Sequence, residues 1–176
     1  MLTPAAAVFG SDLSARCDYE KRIIPSVVSR CVEEVELRGI SLEGIYRKSG
    51  SSTQVKSIQQ GFEKDHLHYD ISDPDLDIHA VTSVLKQYFR KLPNPLITFE
   101  VYDGLLEAME GVEGSGSAVD EERAARVREV VEGLPRSHRE TLEFLVEHLV
   151  KVMEGEAENL VSRLPLDHAR SCFRRY

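Results

Sequence analysis

The chain has little that would let it cross a membrane, close a set of disulfides or hold a metal. No stretch of its 176 residues nears the roughly 20 consecutive apolar residues that a bilayer-spanning helix needs. The opening Met1-Leu2-Thr3-Pro4-Ala5-Ala6-Ala7 lacks a basic start and has only a brief apolar run, a poor fit to a secretory leader. Three cysteines, Cys17, Cys31 and Cys172, stand at wide, unrelated spacings, which argues against a disulfide framework and for a reducing compartment, the cytoplasm. His66 and His68 lie two apart with no cysteine or acidic cluster at ligand spacing, so they read as solvated side chains. Neither a P-loop nor a nucleophile-elbow glycine pattern is present, which argues against an enzyme with chemistry of its own. Positive charge is also short. With 22 Lys and Arg against 30 Asp and Glu the net charge is −8, which disfavours a surface that grips nucleic acid or anionic lipid throughout. Any phosphate site must then be a local basic patch.

What is present is ordinary soluble composition, 41% hydrophobic and 30% charged, in a length that suits one domain with its own core. Strand signals, meaning alternating β-branched residues bounded by turns, are missing, and helical periods take their place. Residues from about Val8 to Tyr19 show no sustained period and read as an irregular lead-in. From Ile23 to Leu37 the apolar positions Ile24, Val27, Val28, Cys31, Val32 and Val35 predict an amphipathic helix ended by Arg38-Gly39. A helix is expected from about Ser52 to Glu63, opened by Ser51-Ser52-Thr53-Gln54 as a capping box, and a loop over 66–77. The strongest pattern runs from Ile78 to Leu92, with Val81, Val84, Leu85, Tyr88, Phe89 and Leu92 on one stripe. Leu92-Pro93-Asn94-Pro95-Leu96 stops it. A helix of about ten residues from Phe99, a flexible Gly111 to Ser117, and helices at about 120–132 and 135–153 complete an all-α, non-repetitive helical bundle.

Two groups of residues stand out against this background. Gly44-Ile45-Tyr46-Arg47-Lys48-Ser49-Gly50 sets an arginine between two glycines just before a helix start. Glycines there permit turns closed to other residues, and a guanidinium offers a planar fork of donors suited to phosphate oxygens. The plainer reading is a surface arginine whose stem packs on Ile45 and Tyr46. The second group is Lys86 and Arg90, four apart on the polar side of the Ile78 helix. Like charges at that spacing cost a little stability, which a nearby anion would relieve; two solvated cations, or cations paired with acids elsewhere, satisfy the same spacing.

The first motif, then Val84-Leu85-Lys86-Gln87-Tyr88-Phe89-Arg90-Lys91-Leu92-Pro93-Asn94-Pro95-Leu96, then Leu134-Pro135 before a long helix, together resemble the RhoGAP domain, from about Phe9 to about Arg163. The resemblance implies a domain over 9–163, a lead-in over 1–8 and a divergent basic tail over 164–176. It implies activation of a Rho-family small GTPase in its GTP-bound state. Arg47 matches the family's arginine finger, Lys86 a lysine that holds the partner, and Arg90 a second basic residue beside the loop. Gly44, Tyr46, Ser49 and Gly50 match the loop's support, and Pro93 and Pro95 the turn that closes the helix. The chain would need no cofactor of its own, since GTP and Mg2+ belong to the partner. No nucleic acid is implied, and any membrane recruitment would come through the partner. After Arg163 the chain departs from the family: Pro165 interrupts the run, a further core helix with a partner-contacting asparagine is absent, and the last family helices are lacking. That departure predicts marginal stability, with an apolar stripe of Leu142, Leu145, Leu149 and Val152 uncovered. It also keeps open an alternative, a catalytically weak or inactive GTPase-binding module of the same fold.

Overall fold

Eight helices form among the described residues, which are 6–110 and 117–161 of a computed structural model. They are α1 (Leu13–Glu20), α2 (Ser26–Arg38), α3 (Ser52–Lys64), α4 (Ile78–Arg90), α5 (Phe99–Glu110), α6 (Ser117–Glu132), α7 (Arg136–Glu154) and α8 (Glu156–Asn159). No strand occurs among these residues, and none of their helices is long and apolar enough to cross a membrane. Residues 111–116 of the expected connection and the tail after Arg163 lie outside the described residues, while Ser117, expected in the connection, is the first residue of α6.

α4 is the helix on which α2 and α3 are packed. Its expected stripe is buried, and so are Ala80, Thr82 and Ser83 on flanking positions, so α2 and α3 enclose most of its circumference. Thr82 and Ser83 are tolerated there because their hydroxyls donate to the His79 carbonyl one turn back, at 3.0 and 2.7 Å. α2 contributes Val27, Val28, Cys31, Val32 and Val35, α3 contributes Val55, Ile58 and Phe62, and α7 closes the cluster with Leu145 and Val152. α5 and α6 pack mainly on each other.

Several expectations are corrected. The stretch expected to be irregular contains α1, capped by Asp12, whose carboxylate accepts from Ala15 N at 3.0 Å. Its period was hidden because a charged pair fills the inner positions: Arg16 and Glu20 are buried, with Nε 2.6 Å from Oε1. α2 starts at Ser26, three residues later than expected, and leaves Ile23 exposed. Glu20 reaches across to that start, accepting from Ser26 N at 2.6 Å and from Ser26 Oγ at 3.0 Å. A carboxylate in this place answers both an orphan donor and the positive end of the helix. No capping box forms at α3, whose N-cap Ser51 makes no side-chain cap bond. Gln54 turns instead to the neighbouring loop, donating to Asp75 O and accepting from Asp77 N, both at 3.3 Å. On α7 the stripe expected to be bare faces inward, with Leu145 and Val152 buried and Leu142 and Leu149 packed on the core. Val146, Val150 and Met153 are the ones left outside, each about half exposed.

Candidate functional site

The arginine loop connects α2 to α3, and three backbone features set its path. Gly44 takes φ +75°, and its N–H donates to the Asn159 carbonyl at 2.7 Å, which fastens the root of the loop to the end of α8. Its own carbonyl accepts from Arg47 N at 2.9 Å and Lys48 N at 2.8 Å, closing a tight turn over the arginine. At the far end Gly50 lies so close to α4 that a Cβ would run into the backbone of Ala80 and His79. Its N–H donates to Ser83 Oγ at 3.2 Å. Both glycines of the motif are therefore required, one for a left-handed turn and the other for close approach.

Tyr46 is also left-handed, with φ 62°, a conformation that costs a non-glycine residue on the order of 1 to 2 kcal/mol. Two contacts offset that cost. Lys86 Nζ donates to the Tyr46 carbonyl at 2.8 Å, and the Tyr46 hydroxyl meets Nε2 of His148 on α7 at 2.6 Å. Ile45, one step earlier, is buried in the core. Arg47 follows and is exposed. Among the described residues none takes a hydrogen bond or ion pair from its guanidinium. Lys48, beside it, pairs with Glu43 at 3.1 Å on the surface.

Beside the loop runs a groove of 470 Å³ between α3 and α4. Ser49, Gly50, Lys86 and Arg90 line it, together with Lys56 and Lys91, and no acid does. A local cationic surface thus exists on a chain of net charge −8. The Lys86 and Arg90 pair faces this groove, while Lys86 is anchored to the loop backbone through Tyr46. Pro93 and Pro95 do not line it. They follow the end of α4, and between them Asn94 opens the next helix, its side-chain oxygen accepting from Phe99 N at 3.0 Å.

Three residues that hold the loop or line the groove escaped the sequence reading. Asn159, fully buried, donates from Nδ2 to Ile40 O at 3.0 Å and Val152 O at 2.7 Å, and its Oδ1 accepts from Val161 N at 2.8 Å. His148 sits at one position of the α7 period where a leucine would be read with equal ease. Lys56 joins the groove from α3, and only the packing of α3 on α4 reveals its proximity to Lys86. The expected solvated histidines are confirmed for His68, whose side chain is 80% exposed. His66 is half-buried and lies 5.8 Å from the Tyr19 ring.

A sequence profile of the RhoGAP domain matches residues 25–166. Rho-type GTPase-activating protein 2 of Saccharomyces cerevisiae is 35% identical over 179 residues, covering 88% of this chain and 18% of that protein. Human unconventional myosin-IXa is 40% identical over 154 residues, covering 88% of this chain and 6% of that protein. The chain thus spans less than a fifth of these relatives. Among solved structures, human Rho GTPase activating protein 15 superposes with a TM-score of 0.81 at 31% identity, covering 90% of this chain and 72% of that one. The BH domain of GRAF gives 0.70 at 28% identity, covering 86% and 79%. With an all-helical core on α4, an arginine loop held between α2 and α3, and a profile match across most of its length, this chain belongs to the RhoGAP domain family.

Proposed function

We propose that the chain activates Rho-family small GTPases by docking on the GTP-bound partner and supplying Arg47 to its nucleotide site. The observation that carries this reading is an exposed arginine on a loop pinned at Gly44, Tyr46 and Gly50, beside a groove lined by four cations. Phosphoryl transfer depends on positioning and on stabilising charge spread over the transferred oxygens, and a rigidly presented guanidinium suits both. An arginine supplied in trans contributes roughly a thousand- to a hundred-thousand-fold in rate, on the order of 4 to 7 kcal/mol of barrier. GTP and Mg2+ are held by the partner, and the chain completes a site that is not its own. Lys86 serves twice, bracing the loop and presenting charge to the partner, and Arg90 adds to the docking surface.

The test is GTP hydrolysis by a panel of Rho-family proteins with this chain added. Arg47→Ala should abolish stimulation while binding to the GTP-bound partner stays within about tenfold, because a finger acts mainly in the transition state. Charge reversal at Lys86 or Arg90 should weaken binding more than alanine does. Stimulation by Arg47→Ala equal to that of the parent would remove the arginine from the reaction. Binding without stimulation by the parent itself would favour the binding module over the activator.

A further inference from the structure

Tyr46 is gripped at both ends, and the grip on its hydroxyl continues through a buried histidine to an exposed lysine. The Tyr46 hydroxyl meets Nε2 of His148 at 2.6 Å, Nδ1 of His148 meets Oε1 of Glu36 at 3.0 Å, and Oε2 of Glu36 accepts from Lys151 Nζ at 2.8 Å. His148 is buried, and its ring lies edge-on to that of Tyr46 with centroids 5.6 Å apart. We propose that the chain of contacts from Tyr46 through His148 to Glu36 positions the arginine loop, holding the left-handed turn at Tyr46 so that Arg47 leaves it in a fixed direction. The claim that this direction matters to a GTPase rests on the function proposed above; the claim that the contacts hold the loop does not.

One protonation pattern satisfies every member of the chain. Burial raises the Glu36 carboxyl, but bonds from Lys151 and His148 more than offset it and hold the group below the usual carboxylate range. It is therefore an acceptor, and Nδ1 of His148 must carry a proton to donate to it. Burial pushes the Tyr46 phenol up, so the hydroxyl keeps its proton and donates it to Nε2. Burial pushes His148 below its ordinary range, with Glu36 pulling the other way, and the neutral ring has the one donor and one acceptor that these partners require. The other titratable groups near the pair are Cys31 on α2, kept neutral by burial that raises it to about 12, Lys151 on α7, and Lys86 on α4 at the Tyr46 carbonyl. Protonating His148 turns Nε2 into a donor. The tyrosine oxygen can then accept from Nε2 while Nδ1 still donates to Glu36, so the contact reverses its direction and is kept.

Ring packing alone could also hold Tyr46, and Tyr46→Phe separates the two cases because it keeps the ring and removes the hydroxyl. Arg47 and Lys48 amides both donate to the Gly44 carbonyl, so their hydrogen exchange, corrected for intrinsic pH dependence, reads the loop with no partner present. Tyr46→Phe and His148→Gln should each speed exchange at these two amides by roughly three- to tenfold, the weight of one hydrogen bond, while amides within α4 stay protected. Unchanged exchange at Arg47 and Lys48 in Tyr46→Phe overturns the proposal. Hydrolysis assays on the same variants judge the function separately: a fall in kcat of stimulation with KM held within about threefold is expected. A parent that stimulates no GTPase would defeat the proposed function and leave the exchange result to decide the positioning.

Discussion

The conformation of one residue, Tyr46, depends on two partners from distant parts of the chain, Lys86 and His148, and no local rule announces them. The motif around it was legible because glycines that flank an arginine have few other uses, and both proved to be needed where they stand. Gly50 makes the sharper test. A side chain there meets backbone of α4, which cannot swing away as a side chain can. Gly50→Ala should therefore either displace the loop from α4 or spread α4 from its neighbours, at a cost of about 1 to 3 kcal/mol by analogy with overpacked cores. Urea unfolding measures it, and a change below about 0.5 kcal/mol would show that the approach is looser than the structure implies. Asn159 and His148 could not have been found in this way. Asn159 meets Ile40 across 119 residues and His148 meets Tyr46 across 102, and single-chain periodicity carries no information at such separations.

At the scale of elements, the helices with an apolar face were legible, and their ends shifted by a few residues where a cap came from outside the helix. α4 read as amphipathic and is almost engulfed, because Thr82 and Ser83 satisfy their hydroxyls within their own helix and pass into the interior. α1 failed to show because its inner face carries the Arg16 and Glu20 pair. This pair predicts an asymmetric response. Glu20→Ala leaves a buried guanidinium without its carboxylate, and removes the bonds to Ser26 at the start of α2, so a loss of roughly 3 to 5 kcal/mol is expected. Breaking the exposed Lys48 and Glu43 pair should cost under about 1 kcal/mol. Chemical denaturation of both variants compares them directly, and similar small losses would mean that Arg16 finds water on losing its partner. The surface of α7 teaches a related lesson. Eight apolar residues lie on it from Leu142 to Met153, and composition alone could not say which row faces the core.

For the whole molecule, the all-α architecture follows from absent strand signals and repeated helical periods, whereas the stability profile follows from buried titratable groups. The folded chain holds His148 below its ordinary value of 6.5. As pH falls, the unfolded chain takes up that proton first, so the stability this group supplies is complete above about pH 6.5 and is lost as pH drops through the folded-state value. Glu36 is likewise depressed from 4.5, so its contribution is intact above that pH and disappears in a second, more acidic step. Urea midpoints taken between pH 8 and pH 4 should fall in that order, and His148→Gln should shrink the upper step, to which His66, also held below 6.5 by burial, contributes the remainder. A parent whose midpoint is level from pH 8 to pH 5 would contradict the burial of a neutral imidazole.

The bond from Gly44 to the Asn159 carbonyl, with that from Asn159 to Ile40, also has a meaning in time. A ribosome adding about 5 to 20 residues per second makes Asn159 some 6 to 24 seconds after Ile40. For all but the first few residues of that interval the arginine has been synthesised but the anchor at the root of its loop has not. The nascent chain therefore emerges with its reactive-looking loop unset, and the loop acquires its final shape only when the last described helix docks.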